Sequence, residues 1–200
     1  MDARALHEPA LAAAYQRVAL ERNLDDDPDS LEASNEATDP DEQSSAFWHA
    51  QHVPDLEWLL RRAAAACLLE LEGAGWPREH AFGVLFTGDT AMAELNGRWR
   101  GRAAPTNVLS WPGSDLRPGD VPPPHWGDLA FAYGTIEREA GERGWDFQAY
   151  LAHLTVHGLL HCLGYDHETS DDDAEAMERL EARILTRLGL PDPYSDTQPQ

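Results

Sequence analysis

The sequence predicts an α+β fold: one domain with a small mixed sheet of three to four strands, packed by about five helices. Three observations carry this. Short strand-like runs and longer runs of helical apolar period mix along the chain without strict βαβ alternation. A hydrophobic content of 42% can fill a core in 200 residues, a length that suits one domain plus a tail. Residues 147–163 are apolar on most sides, as a buried central helix requires.

Residues 1–23 read as a short helix with Leu6, Leu11, Ala14 and Val18 on one side. Residues 24–46 are Asp, Glu, Ser, Asn and Pro with almost no large apolar side chains, too little to repay the cost of ordering. The chain therefore divides into a partly disordered acidic extension over 1–46, a folded domain over 47–190 and a tail over 191–200. Pro54-Asp55 opens a helix that runs to about Glu72, with Leu56, Leu59, Leu60, Ala63, Cys67, Leu68 and Leu71 as its inner stripe. Residues 81–86 read as a strand, and residues 90–98 as a short helix capped by Asp89. Residues 108–111 form a second strand, and the prolines between 112 and 124 mark an irregular loop. Residues 129–133 form a third strand with Asp128 at its head, and residues 136–143 are helical. Asp146 caps the long apolar helix. Ser170 caps the last one, where Asp171–Asp173 favour the positive end of the dipole. Its stripe is Met177, Leu180, Ile184 and Leu188, and Gly189 stops it.

The formal net charge of −21 argues, taken alone, against broad nucleic-acid binding. The charge is uneven. Residues 21–45 hold ten acids and one arginine, whereas Arg98-Trp99-Arg100-Gly101-Arg102 is locally basic. All fifteen basic residues are arginine, which reads as a coding bias. The two cysteines, Cys67 and Cys162, form no paired spacing, which suits a reducing, cytoplasmic setting. There is no 18-residue apolar run to span a membrane, and the N-terminus lacks the basic-then-apolar pattern of a signal peptide.

The densest chemistry is His157-Gly158-Leu159-Leu160-His161-Cys162-Leu163-Gly164-Tyr165-Asp166-His167. On a helix, His157 and His161 share one face with Cβ atoms roughly 5–6 Å apart, a two-point grip on a metal ion. Gly164 can take φ > 0, end the helix and turn the chain so that His167 aims at the same point. Three imidazoles leave a fourth position open, the mark of a catalytic zinc site. The spacing matches the metzincin pattern, except that Gly158 stands where a metallopeptidase has its glutamate base. His153 lies roughly 12 Å from His161 along a helix axis, too far to share the ion, so it reads as a packing residue or a partner of a ligand. Cys162 points elsewhere and reads as a buried thiol.

Three further residues stand near this chemistry. The Arg100 guanidinium suits a phosphate or a developing oxyanion, although composition alone also fits a surface arginine. Asp128 and Asp166 are candidates to orient a ligating imidazole, or else simply to cap turns.

These residues resemble the signature of the YbeY family, bacterial zinc-dependent endoribonucleases of rRNA maturation. The histidine run carries the resemblance most strongly. Leu95-Asn96-x-x-Trp99-Arg100-Gly101 resembles the family's second motif, whose arginine lines the active-site cleft. The stretch from Pro105 to Pro112 and Gly127-Asp128-Leu129 resemble its third and fourth, in the family's order. The resemblance implies one Zn²⁺ per chain on His157, His161 and His167. It implies a single-strand-specific cytoplasmic nuclease of late 16S rRNA 3′-end maturation and ribosome quality control. Its partners would be rRNA and the small ribosomal subunit with its proteins, with no membrane and no DNA. Two departures stand out. Asn107 occupies a position where aspartate is more usual, and the first 50 residues do not resemble the family's opening strand.

The reaction expected is metal-assisted hydrolysis of RNA phosphodiesters with Arg100 steadying the charge. The base is left open among metal-bound water, a substrate 2′-OH and Asp128 acting through water. Two alternatives remain at this point: a ribosome assembly factor with a largely structural zinc, which an acidic surface would suit, and a zinc peptidase, against which Gly158 counts.

Overall fold

The computed structural model describes residues 9–23, 48, 55–167 and 169–195. Among them lie six helices and four strands. In chain order these are α1 (Pro9–Tyr15), β1 (Val18–Asn23), α2 (Leu56–Leu71), β2 (His80–Thr87), α3 (Asp89–Arg100), β3 (Val108–Pro112), β4 (His125–Ala132), α4 (Tyr133–Arg143), α5 (Phe147–Cys162) and α6 (Asp171–Arg187). The proposed linker over 24–46 lies outside the described residues.

The sheet order is β1-β2-β4-β3. β1 and β2 are parallel, β2 and β4 are parallel, and β3 runs antiparallel to β4 at the edge. The α+β architecture with a small mixed sheet is as expected. Residues 1–23 are not one helix, however. After α1 the chain turns, and Val18–Asn23 pairs with β2 in register Val18↔His80 through Asn23↔Leu85. The domain therefore begins well before residue 47. A parallel strand owes its existence to a partner some 60 residues away, whereas Leu11, Ala14 and Val18 also fit a helical spacing.

Side chains alternate across the sheet, so its two faces differ. Phe82, Val84, Phe86, Val108, Leu129 and Phe131 join the main core with α2, α5 and α6. Leu109, Ala130 and Ala132 form a smaller cluster on the other face with Met92 of α3. α5 is the central helix: Leu151, Val156, Leu159, Leu160 and Cys162 have no exposed surface. Asp128 lies within β4 rather than at its head, because β4 begins at His125.

Candidate metal centre

The site is built where α5 ends beside the edge strand β3. Asp146 caps α5 as the sequence predicts, its carboxylate accepting from the N–H groups of Gln148 and Ala149 at 3.1 Å each. One turn before the end, α5 presses onto the sheet. A Cβ added to Gly158 would lie 2.8 Å from Leu129 Cδ2 and 3.0 Å from Ser110 Oγ. Position 158 is thus a packing contact, and a larger side chain there would have to displace Leu129.

Gly164 carries the turn. It sits at φ 88°, and a Cβ on it would meet the Leu116 carbonyl oxygen at 2.5 Å. The Tyr165 N–H closes the turn onto Leu160 O at 3.0 Å. The chain doubles back and brings His167 to His157 and His161, with one ligand atom of each within 4.8 Å of the others. Ring centroids are 4.7 Å apart for His157 and His161, 5.2 Å for His157 and His167, and 5.0 Å for His161 and His167.

The donor set fits a metal ion. The Nε2 atoms of His157 and His161 are 3.2 Å apart. Two imidazole nitrogens bound tetrahedrally to one zinc ion stand about 3.3 Å apart, given bonds of about 2.0 Å. A ligand must also be unprotonated. Burial, followed by the nearby His157, His167 and Arg100, pushes the His161 imidazolium down to about 4 against the pull of Asp166.

Sequence reasoning missed the residue that orients the group. Glu181 of α6 has no exposed surface, and its Oε1 lies 2.6 Å from His157 Nδ1. That bond directs the His157 Nε2 lone pair toward the other two imidazoles. The second oxygen of Glu181 lies 3.3 Å from His153 Nε2 and accepts from the Tyr194 hydroxyl. Burial alone would raise the Glu181 carboxyl. The bonds from His153 and His157 outweigh burial and hold it down at about 2. His153 thus braces the group instead of ligating, in keeping with its distance along the helix. A signal for Glu181 existed: a carboxylate four residues after Met177 and three before Ile184, in the middle of an apolar stripe. Tyr194 fell in the supposed tail.

The group opens onto a cleft of about 460 Å³ whose wall includes Arg100, Asn107, Ser110 and Asp166. Gly101 in the left-handed region ends α3 and leaves Arg100 at the rim. Asn96 Nδ2 donates to Ala104 O at 2.8 Å and ties down the loop that follows. Asp166 is on the cleft wall, but Asp128 is not. Asp128 shares the strand parity of Ala130 and Ala132, on the α3 side of the sheet, and pairs with His125 at 3.4 Å. The carboxylate on His157 Nδ1 is that of Glu181. Asn107 donates from Nδ2 to Glu139 at 2.8 Å, and Glu139 also accepts from the Tyr150 hydroxyl at 2.6 Å. An aspartate at 107 would face that carboxylate. Cys162 is buried, its thiol pushed up to about 12 by burial and then by Asp128.

Fold and site together define an α+β protein with a three-histidine group that could hold a metal ion, at the foot of an open cleft rimmed by an arginine. The chain belongs to the Endoribonuclease YbeY family, which it matches over residues 51–189. It is 53% identical over 113 residues to Endoribonuclease YbeY of Sinorhizobium fredii, covering 56% of this chain and 65% of that protein. It is 48% identical over 148 residues to the Jannaschia protein of the same name, covering 70% of this chain and 91% of that one. With the Bradyrhizobium diazoefficiens protein it shares 47% over 150 residues, covering 73% and 80%.

Proposed function

We propose that the chain is a zinc-dependent, single-strand-specific endoribonuclease acting in late 16S rRNA 3′-end maturation and ribosome quality control. Endonucleolytic chemistry on RNA rests on the family, whose matched members are named endoribonucleases. The observation that carries the metal chemistry is the convergence of His157, His161 and His167 at the foot of the cleft. A zinc ion held by these imidazoles would act as a Lewis acid and lower the pKa of a water in its open position to about 7.

The chain's own residues do the rest. Glu181 accepts the Nδ1 proton of His157 and keeps Nε2 free to ligate. Arg100 donates from the rim to the phosphoryl oxygens, where charge grows in the transition state. Peptidase chemistry is disfavoured, since position 158 is a glycine where a metallopeptidase has its glutamate base. An open cleft suits catalysis better than a closed structural zinc site. No helix among the described residues is long and apolar enough to cross a membrane. The reading places the protein in the cytoplasm on the small ribosomal subunit, where its net charge of −21 suits ribosomal proteins and leaves RNA contact to a local basic patch.

The test is cleavage of a single-stranded RNA by zinc-loaded Arg100→Ala. The expected fall in kcat is about 100- to 1,000-fold, the usual loss for one oxyanion donor. Cleavage at the wild-type rate would remove Arg100 from the mechanism.

A further inference from the structure

We infer that Trp99, braced by Trp111, is a stacking platform for a base of the single-stranded RNA whose phosphate enters the cleft at Arg100; this rests on the nuclease reading above.

Every other residue of Leu95-Asn96-x-x-Trp99-Arg100-Gly101 has a structural or cleft role. Leu95 packs on the Met92 cluster, Asn96 ties the following loop, Arg100 lines the cleft and Gly101 ends the helix. Trp99 has none of these roles and is 67% exposed. Its ring meets Trp111 edge-on, with centroids 6.2 Å apart at 70°. Trp111 is anchored by packing on the Met92, Leu109, Ala130 and Ala132 cluster. One ring is therefore fixed, and it holds a second ring with a face open to solvent.

Position and charge select the occupant. Trp111 sits between Ser110 and Pro112, which line the cleft from the other face of edge strand β3. Trp99 directly precedes Arg100. A strand passing around this edge would set its phosphate at Arg100 and a neighbouring base on Trp99. The platform lies among Arg98, Arg100 and Arg102 in a chain of net charge −21. Arg98 makes only an exposed pair with Glu94 at 3.2 Å, a contact of little energy. Arg100 and Arg102 make no ion pair among the described residues. Aromatic faces interleaved with unpaired cations are how proteins hold single strands without reading sequence, since every base offers a π-face.

The test is steady-state cleavage of a single-stranded RNA by the zinc-loaded full chain. Trp99→Ala should raise KM about 5- to 100-fold, the range expected for losing one base–aromatic stack, with kcat little changed. Trp99→Phe should stay within a few fold of wild type. A set of RNAs each carrying one abasic nucleotide should reveal one position whose loss matches Trp99→Ala and adds nothing to it. Wild-type KM in Trp99→Ala, or abasic penalties that all add to it, would overturn the platform while leaving the nuclease reading intact. Normal RNA kinetics in Trp99→Ala together with lost co-sedimentation with small subunits would also overturn it, marking a protein contact. If the wild type cleaves no RNA at all, the nuclease reading falls and the platform falls with it. Thermal melts of both variants near wild type confirm that each is folded.

Discussion

At Gly158 two opposing effects meet. Alanine normally favours a helix interior over glycine by about 1 kcal/mol. Here the added Cβ would press on Leu129 and Ser110, and overpacking of this kind costs about 1–3 kcal/mol. Gly158→Ala is therefore expected to be less stable than wild type in urea denaturation; a more stable variant would mean that α5 stands further from the sheet. Glu181→Gln should weaken zinc about 10- to 100-fold in chelator competition, the usual cost of losing a partner behind a ligand. Unchanged affinity would show that His157 needs no carboxylate to orient it. Glu181 also gives the acid limb of stability. Its carboxyl is held at about 2, below the ordinary 4.5, so it stabilises the fold fully above pH 4.5. That contribution should fade as pH falls from 4.5 toward 2. In a pH series of melts, Glu181→Gln should flatten this limb, and an unaltered limb would place the effect elsewhere.

Among the elements, the two that carry the histidines and their carboxylate announced themselves most clearly. α5 and α6 have their own caps, Asp146 and Ser170, and long apolar patterns, all local features of sequence. The turn at Gly164 was legible for the same reason. β1 was not, because only its pairing with β2 makes it a strand. The start of β4 was missed too, since Trp126 and Gly127 show their pairing only through β2 and β3. Of the site, the grouping of the three imidazoles and the place of Arg100 at the cleft were readable from spacing and motif. The place of Glu181 in an apolar stripe was visible, but its partner was not, because its bond to His157 spans two helices; Asp128 was misplaced because strand parity decides which face it takes. The cap offers a test at this scale. Asp146→Ala should lower stability by about 0.5–2 kcal/mol in urea denaturation, as for other N-caps. No loss would mean that tertiary packing alone fixes the start of α5.

For the whole molecule, the sheet is a divider. One face carries α5 and the imidazoles, the other carries α3 with Trp99 and Trp111, and the edge strand β3 lets Arg100 reach around between them. Binding of a metal there would be linked to folding, since the three imidazoles come from α5 and the turn after it while the carboxylate behind them comes from α6. The decisive comparison is zinc content and single-stranded RNA cleavage of the wild type beside a His157→Ala/His161→Ala double variant purified identically. The wild type should hold one zinc per chain and cleave, and the variant should lose both. Retained cleavage by the metal-free variant would contradict the proposed zinc-dependent cleavage.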